Sequence, residues 1–155
     1  MKRFRLYIET SAWNFLFVED APHRRAATEE FFRRASTGEF EMFSSELVLS
    51  EMDATTDPDR RRLLLEAVKT RRPVELEITS EVQALAERYV LQGTIPEKYL
   101  DDALHVAVAV VHGVDAVVSW NLRHLVKMKT RREVNALNRL NGFGDIEIVT
   151  PEEVL

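Results

Sequence analysis

Polar and apolar positions alternate in short stretches of the chain, and longer helical patterns separate them. RFRLYIE at 3–9 and EFEMFSS at 39–45 have the period of two expected of strands, and Gly38 stands before the second as a helix stop. VELEI at 74–78 follows Pro73 and alternates again. VDAVVSW at 114–120 follows Gly113 and has the apolar run of a fully buried strand, and DIEIV at 145–149 makes a fifth. Helical patterns occupy 22–37, 45–54, 58–70, 80–92, 96–112 and 130–141. Where the fourth of these helical patterns joins the fifth, Thr94 and Glu97 have the spacing of a capping box. Strands separated by helices predict an α/β fold with a mainly parallel sheet and helices on both faces. No linker or repeat interrupts the pattern, so one domain over 1–155 is expected.

In such a sheet, ligands collect beyond the carboxyl ends of the strands, where neighbouring connections diverge. Glu9 ends the first strand, Asn121 lies just past the fourth, and the helix carrying Glu51 starts where the second strand finishes. Glu51 shares a helix face with Leu47 and Val48, whereas Glu46 is turned away and suits the positive end of the helix. Of the adjacent pair Asp101 and Asp102, Asp102 lies on the face that continues as Val106, Ala109 and Val110, so it is the one expected to meet a shared ligand.

Composition narrows the chemistry. The chain has no cysteine, which removes thiolate metal sites and a thiol nucleophile and suits a reducing, cytoplasmic setting. Its net charge of −5 argues against a general nucleic-acid coat protein. Residues 123–132 are different: Arg123, His124, Lys127, Lys129, Arg131 and Arg132 stand together with no acid among them. No apolar run is long enough for a signal peptide or a membrane span. Hard oxygen ligands gathered on one rim are the inventory of a Mg²⁺ or Mn²⁺ site, and phosphodiester cleavage is a reaction that uses one. The basic segment would then contact a phosphate backbone beside the metal, through Arg123, His124 and Lys127, or else be a solvated helix face.

YIETSAWNF, SSELVLSEM, DDALHVAVAV and VVSWNLRHL resemble, in order and spacing, the four signature segments of PIN-domain nucleases, a family that includes the VapC toxins of bacterial toxin-antitoxin systems. The resemblance covers nearly the whole chain. It implies a three-layer α/β/α sandwich with a central, mainly parallel sheet of four to five strands, and metal-dependent endoribonuclease activity leaving a 5′-phosphate and a 3′-hydroxyl. It places Glu9, Glu51 and Asp102 as metal-holding catalytic acids, Asn121 at the fourth catalytic position, and Ser11 as a small polar residue that orients the first acid or a water. It also implies a homodimer or an antitoxin partner docked on the helices at 22–37 and 45–70. Two departures stand out: the first acid is more often Asp, and His124 stands where many members carry a further acid.

Other polar and aromatic residues have simpler readings. His105 is expected to be a hydrogen-bonded core histidine, His112 to answer the carbonyls at its helix end, and Trp13 and Phe15 to cover the sheet rim. The expectation is a metal-dependent ribonuclease, in a toxin role by resemblance. Its rival is a non-catalytic PIN-like module that binds RNA or protein, suggested by the weakened acid set.

Overall fold

The computed structural model describes residues 2–155. Five strands, β1 (Phe4–Ile8), β2 (Phe40–Ser45), β3 (Val74–Leu76), β4 (Ala116–Val118) and β5 (Glu147–Val149), form one sheet in the order β3-β2-β1-β4-β5. Every neighbouring pair is parallel. The helices are α1 (Thr10–Asn14), α2 (Pro22–Ser36), α3 (Glu46–Asp53), α4 (Pro58–Arg71), α5 (Ser80–Leu91), α6 (Leu100–Val111), α7 (Met128–Leu140) and α8 (Pro151–Val154), with a 3₁₀ turn at Glu97–Tyr99 before α6. The sheet is thus wholly parallel, and both its faces are covered.

From β1 the chain steps outward through β2 to β3, then crosses back to β4 and on to β5. Because right-handed crossovers put connections of opposite sense on opposite faces, α1 to α4 lie on one side and α5 to α7 on the other. That reversal falls between β1 and β4, the two strands whose carboxyl ends open onto a common crevice. Their register pairs Ile8 with Val118, and the Glu9 amide donates to Val118 O at 3.0 Å, so Glu9 and Ser119 emerge side by side.

The core explains the strand sequences. Leu6, Tyr7 and Ile8 are all buried, as a strand covered on both faces requires. Helix α6 is apolar almost all round and is enclosed between the sheet and α5, with Ala103 and the run His105 to Val110 buried. It ends at Gly113, whose φ of +68° lets the Val114 amide return to Ala109 O and aims the chain into β4.

Several boundaries differ from the sequence pattern. The run at 114–120 pairs as a strand only over Ala116–Val118, because Ser119 and Trp120 turn their amides to Val149 O and Ser11 Oγ. The helix expected at 96–112 is a 3₁₀ turn followed by α6, and the pattern at 130–141 starts earlier, at Met128. Thr94 does not cap that turn; it is buried and its hydroxyl reaches Glu133. The capping box forms instead at α8, between Thr150 and Glu153, with Pro151 in the first turn. His112 bonds the Glu77 carbonyl at 2.7 Å through Nε2 rather than its own helix end. Trp13 is fully buried against Phe32.

Candidate active site

Glu9 is the residue on which β1 stops and α1 starts. Its extended backbone places it as the helix N-cap, and its Oε2 accepts from the Ser11 amide at 2.8 Å. Oε1 accepts from two hydroxyls, Ser11 Oγ at 2.6 Å and Ser119 Oγ at 2.5 Å. The two serines also contact each other at 3.2 Å, and the Ser119 hydroxyl takes the Asn121 amide. These donors allow a carboxylate that is only 5% exposed to remain in the crevice.

Glu51 approaches from α3, on the helix face next to the buried Val48 and Met52. Its Oε1 accepts from Thr10 Oγ1 at 2.6 Å and contacts His105 Nε2 at 2.5 Å. His105 is buried in α6, and its Nδ1 lies 2.7 Å from the Tyr7 hydroxyl, which in turn lies 2.8 Å from Ser45 Oγ. Burial works against the ionised form of each partner. For Glu51 the His105 contact outweighs it and the carboxyl is lowered; for His105 the Glu51 contact, with Glu9 and Asp102 beyond, outweighs it and the imidazole is raised. Both directions favour the charged pair, a carboxylate facing an imidazolium. His105 Nε2 donates to the Glu51 carboxylate, and the Tyr7 hydroxyl bridges Nδ1 and Ser45 Oγ. Burial, the main cause, raises the Tyr7 phenol well above its ordinary range, so it stays neutral in this chain.

Asp102, in the first turn of α6, is half-buried beside these groups, while Asp101 is exposed. Burial, and then the charge of Glu9, push its carboxyl up to about 6, against the opposing pull of His105 and an Asn121 hydrogen bond; Glu51 adds to the rise. Asn121 is fixed by its own Oδ1, which accepts the His124 amide at 2.9 Å. Glu9, Glu51, Asp102 and Asn121 thus share one crevice, with Ser11 on Glu9. Arg123 and Lys127 stand exposed at its rim, and the His124 ring lies against Tyr99 with centroids 4.0 Å apart.

The donor set fits a divalent cation. Glu9 Oε2 has spare acceptor capacity, Glu51 Oε2 has no hydrogen bond among the described residues, and a cation would answer the burial and the Glu9 charge that together raise Asp102. Among the described residues, no three acids or histidines are grouped so as to hold an ion by themselves. That is compatible with Mg²⁺, which keeps several waters and takes one or two carboxylates together with substrate phosphate.

The sequence reading did not include Thr10, Tyr7, Ser45 or Ser119 in the site. Only Ser119 carried a signal, as a polar residue ending an apolar run. His105 is the hydrogen-bonded core histidine expected, yet its partner is Glu51, which makes it part of the site. Replacing Tyr7 by Phe leaves the buried imidazole Nδ1 and the Ser45 hydroxyl without their partner. The expected loss is ~2 kcal/mol in urea unfolding; a loss under about 0.5 kcal/mol would show that the chain of hydrogen bonds has no energetic role.

No curated protein sequence matches the chain significantly. Solved structures share its fold. Mycobacterium tuberculosis VapC20, described as a sarcin-ricin loop cleaving toxin, aligns with a TM-score of 0.58 at 16% identity, over 91% of this chain and 98% of that one. VapBC2 from Rickettsia felis, solved with a DNA fragment from their promoter, aligns with a TM-score of 0.58 at 10% identity, over 95% of this chain and 98% of that one. The sequence model of the PIN domain family matches residues 6–130, so the chain belongs to the PIN domain family.

Proposed function

We propose that this PIN domain is a Mg²⁺- or Mn²⁺-dependent endoribonuclease and acts as the toxin of a type II toxin-antitoxin pair. The observation that carries the reading is geometric: Glu9 at the end of β1, Glu51 on α3 and Asp102 in the first turn of α6 face the crevice between β1 and β4, with Ser11 and Ser119 holding Glu9 and Thr10 and His105 holding Glu51. Mutually repelling carboxylates are costly for folding alone and useful for holding a cation. Fold does not fix activity, so the site residues bear the argument.

Asp102 and Glu51 would hold the ion, with Glu9 completing the set through its freer oxygen. When bound, a divalent cation supplies positive charge against the negative charge that builds on phosphate oxygens during displacement. Ser11 and Ser119 keep Glu9 from swinging out, and His105 and Thr10 do the same for Glu51. Asn121, held through the His124 amide, orients Asp102 or a phosphate oxygen. Arg123, His124 and Lys127 would meet the RNA at the rim. The toxin role rests on the likeness to VapC20 and VapBC2, and an antitoxin or second copy would bind the α2 to α4 side. No helix among the described residues is long and apolar enough to cross a membrane, and the proposed setting is the cytoplasm.

Labelled single-stranded RNA incubated with the pure protein tests the reading. Cleavage is expected with Mn²⁺, none with chelator, and a ~10²–10³-fold lower rate in Glu51→Gln. Cleavage that persists in chelator, or in that variant at the parent rate, contradicts it. A second reading, a module that binds RNA without cutting, is favoured by the full occupation of Glu9 Oε1 and the neutral Asn121. RNA binding with no cleavage under any metal selects it.

A further inference from the structure

Many cations on this surface are answered by acids. Arg25, Arg33, Arg34, Arg62, Lys129, Arg131 and Arg139 each pair with an acid. Within 123–132, Lys129 and Arg131 are thus engaged with Glu133 and Glu153. Lys98, Arg123 and Lys127, like the exposed Lys69, Arg72, Arg88 and Arg132, form neither an ion pair nor a side-chain hydrogen bond among the described residues. Lys98, Arg123 and Lys127 flank one feature, the tilted ring pair of His124 and Tyr99. The ring centroids are 4.0 Å apart with planes inclined by 32°, and Lys98 Nζ lies 5.8 Å from the Tyr99 centroid.

This stack is held rigidly to the acid crevice from two sides. Tyr99 is the N-cap residue of α6, three positions before Asp102. His124 is tied by its amide to Asn121 Oδ1 and by its carbonyl to Thr130 Oγ1 at 2.8 Å. Both rings are only partly covered, and the Tyr99 hydroxyl has no partner among the described residues. Burial, then the charges of Arg123 and Lys127, lower the His124 imidazole, which keeps it a neutral aromatic surface at pH 7. A fixed aromatic surface among unanswered cations matches the chemistry of single-stranded nucleic acid, whose bases stack while its phosphates meet lysine and arginine. A solvated basic face would not need ordered rings, and a core stack would not be half-exposed.

Resting on the ribonuclease reading, we propose that Tyr99 and His124 form a stacking platform for one unpaired RNA base next to the scissile phosphate, with Lys98, Arg123 and Lys127 holding the flanking phosphates. The platform makes the site selective for unpaired RNA, because a base within a duplex cannot leave its stack to reach the rings without cost.

Binding is measured in chelator, by fluorescence anisotropy, with a labelled single-stranded RNA and a set of the same strand carrying one abasic nucleotide at each position in turn. For the parent protein, one abasic position is expected to weaken binding about tenfold. Tyr99→Ala and His124→Ala are expected to weaken binding of the intact strand about tenfold and to leave that abasic strand unchanged, while Tyr99→Phe keeps the parent affinity. With Mn²⁺, the Ala variants should raise KM about tenfold with kcat within about twofold. No binding by the parent, equal affinities for parent and Ala variants, or an equal loss on the abasic strand would overturn the platform. Cleavage by the parent in Mn²⁺ is read separately, so the ribonuclease reading survives or fails independently of that result.

Discussion

Asp102→Asn is expected to lower RNA cleavage by ~10²–10³-fold and, at the same time, to make the metal-free protein more stable at pH 7. Ordinary active-site damage would not produce that combination. The Asp102 carboxyl rises from 3.8 to about 6 on folding, first through burial and then through Glu9. The folded protein therefore holds this proton to higher pH than the unfolded chain does, and stability falls as pH rises from about 4 to about 6. The shift of about two units corresponds to ~3 kcal/mol. Partial exposure reduces this to ~1–2 kcal/mol. Asparagine keeps the shape and the Asn121 contact without the charge, so the variant should gain about that amount at pH 7 and nothing at pH 4. Glu51 and His105 act in the opposite directions: the lowered Glu51 gives stability that is lost as pH falls through its folded value, and the raised His105 gives stability lost as pH rises through its own. Urea unfolding at pH 4, 5.5 and 7 separates them, because the variant loses the whole Asp102 contribution and only the smallest of the causes that raise His105. A variant less stable than the parent at pH 7 would mean that the carboxylates do not repel one another as the geometry indicates.

Trp13→Ala should be the costliest single change for the fold, at ~3–5 kcal/mol. Trp13 has no exposed surface, its ring lies 4.6 Å from Phe32 between centroids, and its Nε1 donates to Ile8 O at 3.2 Å. Removing it opens a cavity directly behind Glu9 and unties the end of β1. For a domain of this size the loss corresponds to a fall in Tm of ~6–20 °C. Trp13→Phe fills part of the cavity but not the hydrogen bond, and should lie about midway. A fall of only a degree or two on alanine substitution would place the main support of β1 elsewhere.

The acids were legible because of where strands end. Glu9 closes an alternating run, Glu51 interrupts an apolar helix face, and Asp102 opens a helix that is otherwise almost wholly apolar. Each breaks a local pattern, and the parallel topology brings such breaks to one rim. Apart from Ser119, which ends an apolar run, the hydroxyls and the tyrosine were not legible, since Thr10, Ser45 and Tyr7 break nothing. Their role is set by the pairing of Ile8 with Val118 and by the approach of α6 to α3, both contacts between distant parts of the chain. His105 shows the same limit from the other side: its burial could be expected from its helix, its partner could not. The strand at 114–120 was overextended because apolar character continues where backbone pairing stops. Thr150 and Glu153 had the spacing of a helix start, with Pro151 beside them, yet a helix of four residues leaves no periodicity to notice. Thr94 and Glu97 had the same spacing without the structure, because Thr94 is drawn inward and turned to Glu133.

All of this depends on the crevice being built to receive a divalent cation. Titrating the metal-free protein with Mn²⁺ while following the free-ion signal by electron paramagnetic resonance, in parallel with Asp102→Asn and Glu51→Gln, tests that directly. Saturable binding of Mn²⁺ by the parent, weakened at least about tenfold in each variant, is the predicted result. Absence of saturable binding by the parent, or equal binding by all three proteins, would contradict it.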